Sequence, residues 1–242
     1  SISLSSGTDV VNSLGNDTIF AGAGPATINA SGNALVFGNG PLNFLGTGQG
    51  SSTVVGINAS APVTIFGGQG GGLFAGSKGG NNVIAAGQQA SVIFGEGNGD
   101  IMAANGPGQD LIACGAGNEA IIGVNGSGNN VFWGGTGNDI YGGGSGTDFY
   151  IAGSGSNTII GGTGTDYYSI LKGFSSGGTV DIFGFDQAKG DQLFLAGGYG
   201  PGEAANALAS ATVSGGATVL TLSDNTTIRV EGVTNLNASA FL

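Results

Sequence analysis

Large apolar residues recur along the first two thirds of the chain at a mean step of about nine positions. Val10-Val11, Ile19-Phe20, Ile28, Val36-Phe37, Phe44-Leu45, Val54-Val55 and Ile65-Phe66 open the series, and Ile140-Tyr141, Phe149-Tyr150, Ile159-Ile160 and Tyr167-Tyr168 close it. No stripe at three- and four-residue spacing accompanies this beat, so helices are not indicated. The intervening positions are Gly, Asn, Ser and Thr, which are turn formers. The pattern predicts one short strand and one turn per beat, with two beats closing a coil of ~18 residues and about nine coils stacking at ~4.8 Å. The fold class expected is all-β: a right-handed parallel β-roll or β-solenoid over residues 1–171. Within each apolar pair one member faces inward, building Ile, Val, Phe and Tyr ladders. The other faces outward and leaves an unusually apolar sheet surface. That surface is open to two readings, β-propensity with flanking contacts or a lateral packing face.

The beat stops near Lys172. Residues 179–198 and 217–233 alternate as longer strands, an Asp224-Asn225 turn suggests a hairpin, and residues 201–213 suit a short helix. A β-rich C-terminal module over 172–242 is therefore expected to cap the last coil, whose backbone edge would otherwise stay open. At the other end the first rung arrives by Val10. Its edge is expected to be uncovered unless a strand from Ser1 to Ser6 folds back over it.

Between the apolar beats the turns acquire a spelling. Gly134–Gly142 reads GGTGNDIYG, Gly143–Ile151 reads GGSGTDFYI and Gly161–Ser169 reads GGTGTDYYS, with a softened copy, AGSGSNTII, at Ala152–Ile160. Each follows G-G-x-G-x-D-x-U-x with U large and apolar, the repeat of a calcium-binding parallel β-roll. The glycines permit tight turns, the aspartate supplies a hard oxygen ligand, and U fills a thin core.

These repeats resemble the RTX family, the hemolysin-type calcium-binding repeat proteins of Gram-negative bacteria. The tail is also similar: VDIFGFDQAKGDQLFL from Val180 to Leu195 looks like the element that follows the repeats in that family, as do the strand pair TVLTLSDNTTIRVEGV and the apolar end Ala240-Phe241-Leu242. The strong likeness covers about residues 95–242, and residues 1–94 keep the period alone. The resemblance implies export by a type I secretion apparatus with an uncleaved C-terminal signal, and calcium-driven folding outside the cell.

It also implies that Ca²⁺ sits between turns stacked two repeats apart, held by an Asp from each and by main-chain carbonyls. One side would stack Asp110, Asn130, Asp148 and Asp166, and the other Asp100, Glu119, Asp139 and Asn157. Asp148 and Asp166, with Gly143, Gly144, Gly146, Gly161, Gly162 and Gly164 in their turns, form the leading site. Asp139 with Asn157, on Gly135 and Gly137, comes second, and Asp100 and Asp110 extend the columns. Glu119 departs from the repeat. Equivalent positions earlier in the chain read as Ala26, Ala34, Asn43, Gly72 and Asn82, so that half is expected to be largely metal-free. Asp9, Asp17 and Asp224 read as turn residues, and Asp181, Asp186 and Asp191 as capping turns first, with a calcium ion there as the alternative.

Composition narrows the functions. A net charge of −11 with only four Lys and Arg leaves no basic face for nucleic acid. No apolar run is long enough for a transmembrane helix, and no amino-terminal signal peptide is visible. Without histidine, Ser-His-Asp, Cys-His and zinc-protease machinery cannot be assembled. The lone Cys114 reads as a small buried hydrophobe. An enzyme is not expected. Two roles remain: a secreted structural solenoid that self-associates in a matrix, surface layer or adhesive fibre, with a cell-surface polysaccharide as a candidate partner, or the C-terminal secretion and folding module of a larger enzyme, toxin or adhesin.

Overall fold

The computed structural model describes residues 1–56 and 58–242, with the side chains of Val124 and Asn125 left aside. Through the solenoid, successive strands alternate between an 11-stranded and a 13-stranded sheet, so each pairs in parallel with the strand two elements later. No helix interrupts the described residues before the last coil. The architecture is the parallel β-solenoid that the nine-residue beat predicts.

The period-two geometry of strands explains the core. In the first sheet Ile19, Val36, Val54, Phe74, Ile93, Ile112, Phe132, Tyr150, Tyr168 and Leu193 lie in register, coil upon coil. In the second sheet the inward column runs Val11, Ile28, Phe44, Ile65, Ile84, Met102, Ile121, Tyr141, Ile159 and Ile182. All of these are buried. The two columns face each other, so the interior is one layer of side chains from each sheet. Aromatic residues gather at the C-terminal coils, where Tyr150 stacks on Tyr168 at 5.2 Å between ring centroids.

The two ends differ. Past the last repeat, Thr179–Phe183 continues the second sheet in parallel, Thr227–Val230 adds beside it, and Ala217–Thr221 and Thr212–Ser214 close the edge as antiparallel strands. Gln192–Ala196 ends the first sheet, where Leu193 is bridged by Phe241 and its carbonyl accepts the Leu242 N–H at 3.0 Å. The helix Glu203–Ala209 lies within this module. At the start, Ile2–Ser3 folds back and pairs with Ile19 and Phe20. In the second sheet the leading strand Asp9–Ser13 pairs only with Ala26–Ala30 among the described residues.

Candidate metal centre

Each consensus turn places its sixth residue immediately before a strand, with the side chain tucked under the turn. There the side chain's oxygen accepts the backbone N–H of the equivalent residue one coil earlier. On one side the N–H of Ser91 meets Asp110 Oδ1 at 2.7 Å, Asp110 meets Asn130 at 3.0 Å, Asn130 meets Asp148 at 2.9 Å and Asp148 meets Asp166 at 3.1 Å. Asp166 continues the series to Asp191 at 2.9 Å. On the other side Asn82 donates to Asp100 at 2.9 Å, Glu119 to Asp139 at 3.0 Å and Asp139 to Asn157 at 3.2 Å. The second carboxylate oxygen reaches into its own turn: Gly144 N–H donates to Asp148 Oδ2 and Gly162 N–H to Asp166 Oδ2, each at 3.0 Å. Every predicted aspartate and asparagine ligand thus stands in one of two columns, as does Glu119.

Close stacking explains the glycines. A Cβ at Gly144 or Gly162 would strike the carbonyl oxygen of Gly126 or Gly144 in the coil before, and Gly135, Gly137, Gly146 and Gly164 meet the same obstacle. The first glycine of each turn has another reason. A Cβ on Gly143 or Gly161 would run into the hydroxyl of Tyr150 or Tyr168, the inward residue seven positions on.

The columns hold charge without a counter-charge. Asp100, Asp110, Glu119, Asp139, Asp148, Asp166 and Asp191 are all buried. The salt bridges among the described residues belong instead to the capping module, joining Lys189 to Asp186 and Arg229 to Asp181 and Glu231. Asn130 separates Asp110 from Asp148, but Asp148, Asp166 and Asp191 follow one another directly. Burial, together with Asp191 and Asp148 on either side, pushes Asp166 up to about 6 despite its two backbone hydrogen bonds. Burial likewise raises Asp148 and Asp191, and Asp110 to about 6. Asp110 Oδ2 has no partner. A stack of hard, buried oxygen donors without a counter-charge fits calcium, and the residues that could hold it are Asp110, Asp148, Asp166 and Asp191 on one side and Asp100, Asp139 and Asn157 on the other.

Two sequence expectations need correction. Asn43 does not stand in the column: the register pairs Ala26 with Leu42, and Asn43 faces outward beside Thr27. Asp9 and Asp17 open the two N-terminal columns, in register with Ala26 and Ala34. Between them and the acidic C-terminal part the columns read Ala26, Leu42 and Val63 on one side and Ala34, Ser52 and Gly72 on the other. None of these side chains is a carboxylate. Asp191, read as a capping residue, is a full member of the stack. Its signal is faint, because it lies 25 residues beyond Asp166 rather than 18.

Comparison with known families gives matches to the RTX calcium-binding nonapeptide repeat in four copies, at residues 5–32, 77–112, 115–150 and 142–169. The first lies in the half where sequence reading found only the period. A search of curated proteins found no match to the chain.

Proposed function

We propose, on the premise that this chain belongs to the RTX calcium-binding repeat family, that it is a secreted, non-catalytic structural protein. In this reading its calcium-stabilised solenoid packs against further copies of itself in an extracellular matrix, surface layer or adhesive fibre. RTX repeats are typical of secreted proteins, and no helix among the described residues is long and apolar enough to cross a membrane. Calcium, when bound, supplies positive charge to the carboxylate columns. The chain's own residues do the rest by holding those carboxylates in register.

The observation that carries the reading is the outward side of the sheets. Phe20, Phe37, Leu73, Phe94, Trp133, Phe149 and Phe194 stand exposed on the first sheet, and Leu45, Phe66, Ile101, Ile122, Ile140, Ile160 and Phe183 on the second. They stand in two outward columns on each sheet, interrupted by small or polar residues such as Ala75, Ser169, Asn43 and Thr158, and some are stacked, as with Phe20 on Phe37 at 5.4 Å and Phe149 on Tyr167 at 4.8 Å. A monomeric soluble protein seldom exposes this many large apolar side chains on two faces, and each one buried between copies contributes about 1.5–3 kcal/mol. A second copy is the occupant that offers a matching column of the same pitch.

The test is sedimentation velocity on purified chain with and without millimolar calcium. Concentration-dependent growth in calcium, reduced by Phe94→Ser with Phe149→Ser, is expected. A monodisperse monomer at high concentration in calcium overturns self-association. The second reading, a secretion and folding module of a larger enzyme, toxin or adhesin, is favoured by the capping module that seals the last coil. The coding sequence upstream of Ser1 separates the two: a start codon supports the structural protein, a further domain the module.

A further inference from the structure

One turn departs from the repeat at two places at once. Residues 114–119 read C-G-A-G-N-E where the consensus has glycine first and aspartate sixth. The two departures face each other. In the turns that keep the consensus, the first position aims at the sixth: a Cβ built on Gly143 lies 2.9 Å from Asp148 Oδ2, and one on Gly161 lies 3.1 Å from Asp166 Oδ2. Cys114 stacks under Gly134, its N–H donating to the carbonyl of Trp133 at 2.8 Å. Its thiol is therefore directed at the Glu119 carboxylate.

A third departure makes room. Gly134, Gly143 and Gly161 lie beneath the hydroxyls of Tyr141, Tyr150 and Tyr168, which leave no space for a side chain. Beside Cys114 the inward residue is Ile121, in register with Tyr141, and it has no hydroxyl to place there. The result is a cluster in which the ligand atoms of Cys114, Glu119 and Asp139 lie within 4.8 Å of one another. Glu119 is 3% exposed, and neither of its carboxylate oxygens has a hydrogen-bond partner. Its longer side chain has left the hydrogen-bond ladder that the aspartates serve, although its own N–H still donates to Asp139 Oδ1. Cys114 is only half-buried, which gives an ion a path from solvent.

We propose that Cys114, Glu119 and Asp139 form a binding site for a borderline divalent cation of the zinc class, which shares Asp139 with one calcium column but differs from it in ligand chemistry. Calcium takes oxygen ligands, whereas zinc accepts a thiolate beside carboxylates. Zinc bonds of about 2.3 Å to sulfur and 2.0–2.2 Å to oxygen bring ligands at this spacing onto one ion after small side-chain rotations. Three protein ligands leave the fourth tetrahedral position to water. On binding, the Cys114 S–H proton is released to solvent as the S–Zn bond forms, and no redox change occurs.

Isothermal titration of the full chain with zinc in saturating calcium tests the site. One equivalent is expected in excess of calcium. Cys114→Ser and Glu119→Gln should each weaken zinc binding by at least about tenfold, the lower end of what even outer-shell partners contribute. Glu203→Gln, in the capping helix, should leave it unchanged. Cobalt in place of zinc should show a thiolate-to-metal absorption band that Cys114→Ser abolishes, and bound zinc should slow the reaction of Cys114 with a thiol reagent. No zinc binding in calcium, unchanged affinity in Cys114→Ser, or equal protection of the thiol by calcium alone would overturn the proposal.

Discussion

At the scale of single residues, position in the coil decides what a substitution does. Ile112 is fully buried between Ile93 and Phe132 in a core only two side chains thick. Ile112→Ala should leave a cavity the coils cannot close, costing about 2–5 kcal/mol in chemical denaturation. Asp166 behaves differently, because its carboxylate is held between Asp148 and Asp191 with no cation beside it. Asp166→Asn keeps an acceptor oxygen and removes the charge. The metal-free protein should then gain about 1–3 kcal/mol, while calcium stoichiometry and the calcium-induced rise in melting temperature both fall. Unchanged stoichiometry and melting behaviour would show that Asp166 holds no ion.

At the scale of the element, the carboxylate columns set the pH response. Asp110 and Asp166 each rise from 3.8 to about 6 in the folded chain. Between those values the folded state still holds protons that the unfolded chain has released. Stability of the metal-free protein therefore falls as pH rises from ~4 to ~6, and the full penalty remains above that. Bound calcium favours the charged carboxylates and should flatten or invert this slope, adding stability by mass action near neutral pH. Thermal melts across that range with chelator and with calcium check both limbs. A metal-free melting temperature that climbs steadily toward pH 7 would refute the column as a store of uncompensated charge.

At the scale of the whole molecule, one end of the rod is built differently from its middle. Residues 172–242 replace the repeats with a strand pair, a helix and a final residue hydrogen-bonded to Leu193. Deleting residues 173–242 would expose Ser156–Ile160 and Tyr167–Leu171 as open edges, which template pairing with other chains. The truncated chain is expected to aggregate on refolding in calcium and to lose export through a type I apparatus. Efficient secretion of a soluble truncated solenoid would remove the capping module from both roles.

The amino-acid sequence by itself determined the solenoid and its columns. A nine-residue beat admits only short strands separated by turns, and strand geometry then settles which member of Ile140-Tyr141 or Phe149-Tyr150 is buried. The consensus turns likewise announced Asp139, Asp148 and Asp166 as stacked carboxylates, since glycine at the neighbouring positions has few other physical reasons. Only the tertiary structure decided the register where coil length drifts, between 16 and 21 residues within the solenoid and to 25 at Asp191. There Leu42 replaced Asn43 in the column, and Asp191 joined it from beyond the repeats. It also decided that Cys114 faces Glu119 and Asp139 rather than a purely apolar core, because that contact joins one turn's two exceptions to the next coil. Pattern follows from periodicity along the chain, whereas contacts between coils depend on how many residues each turn inserts.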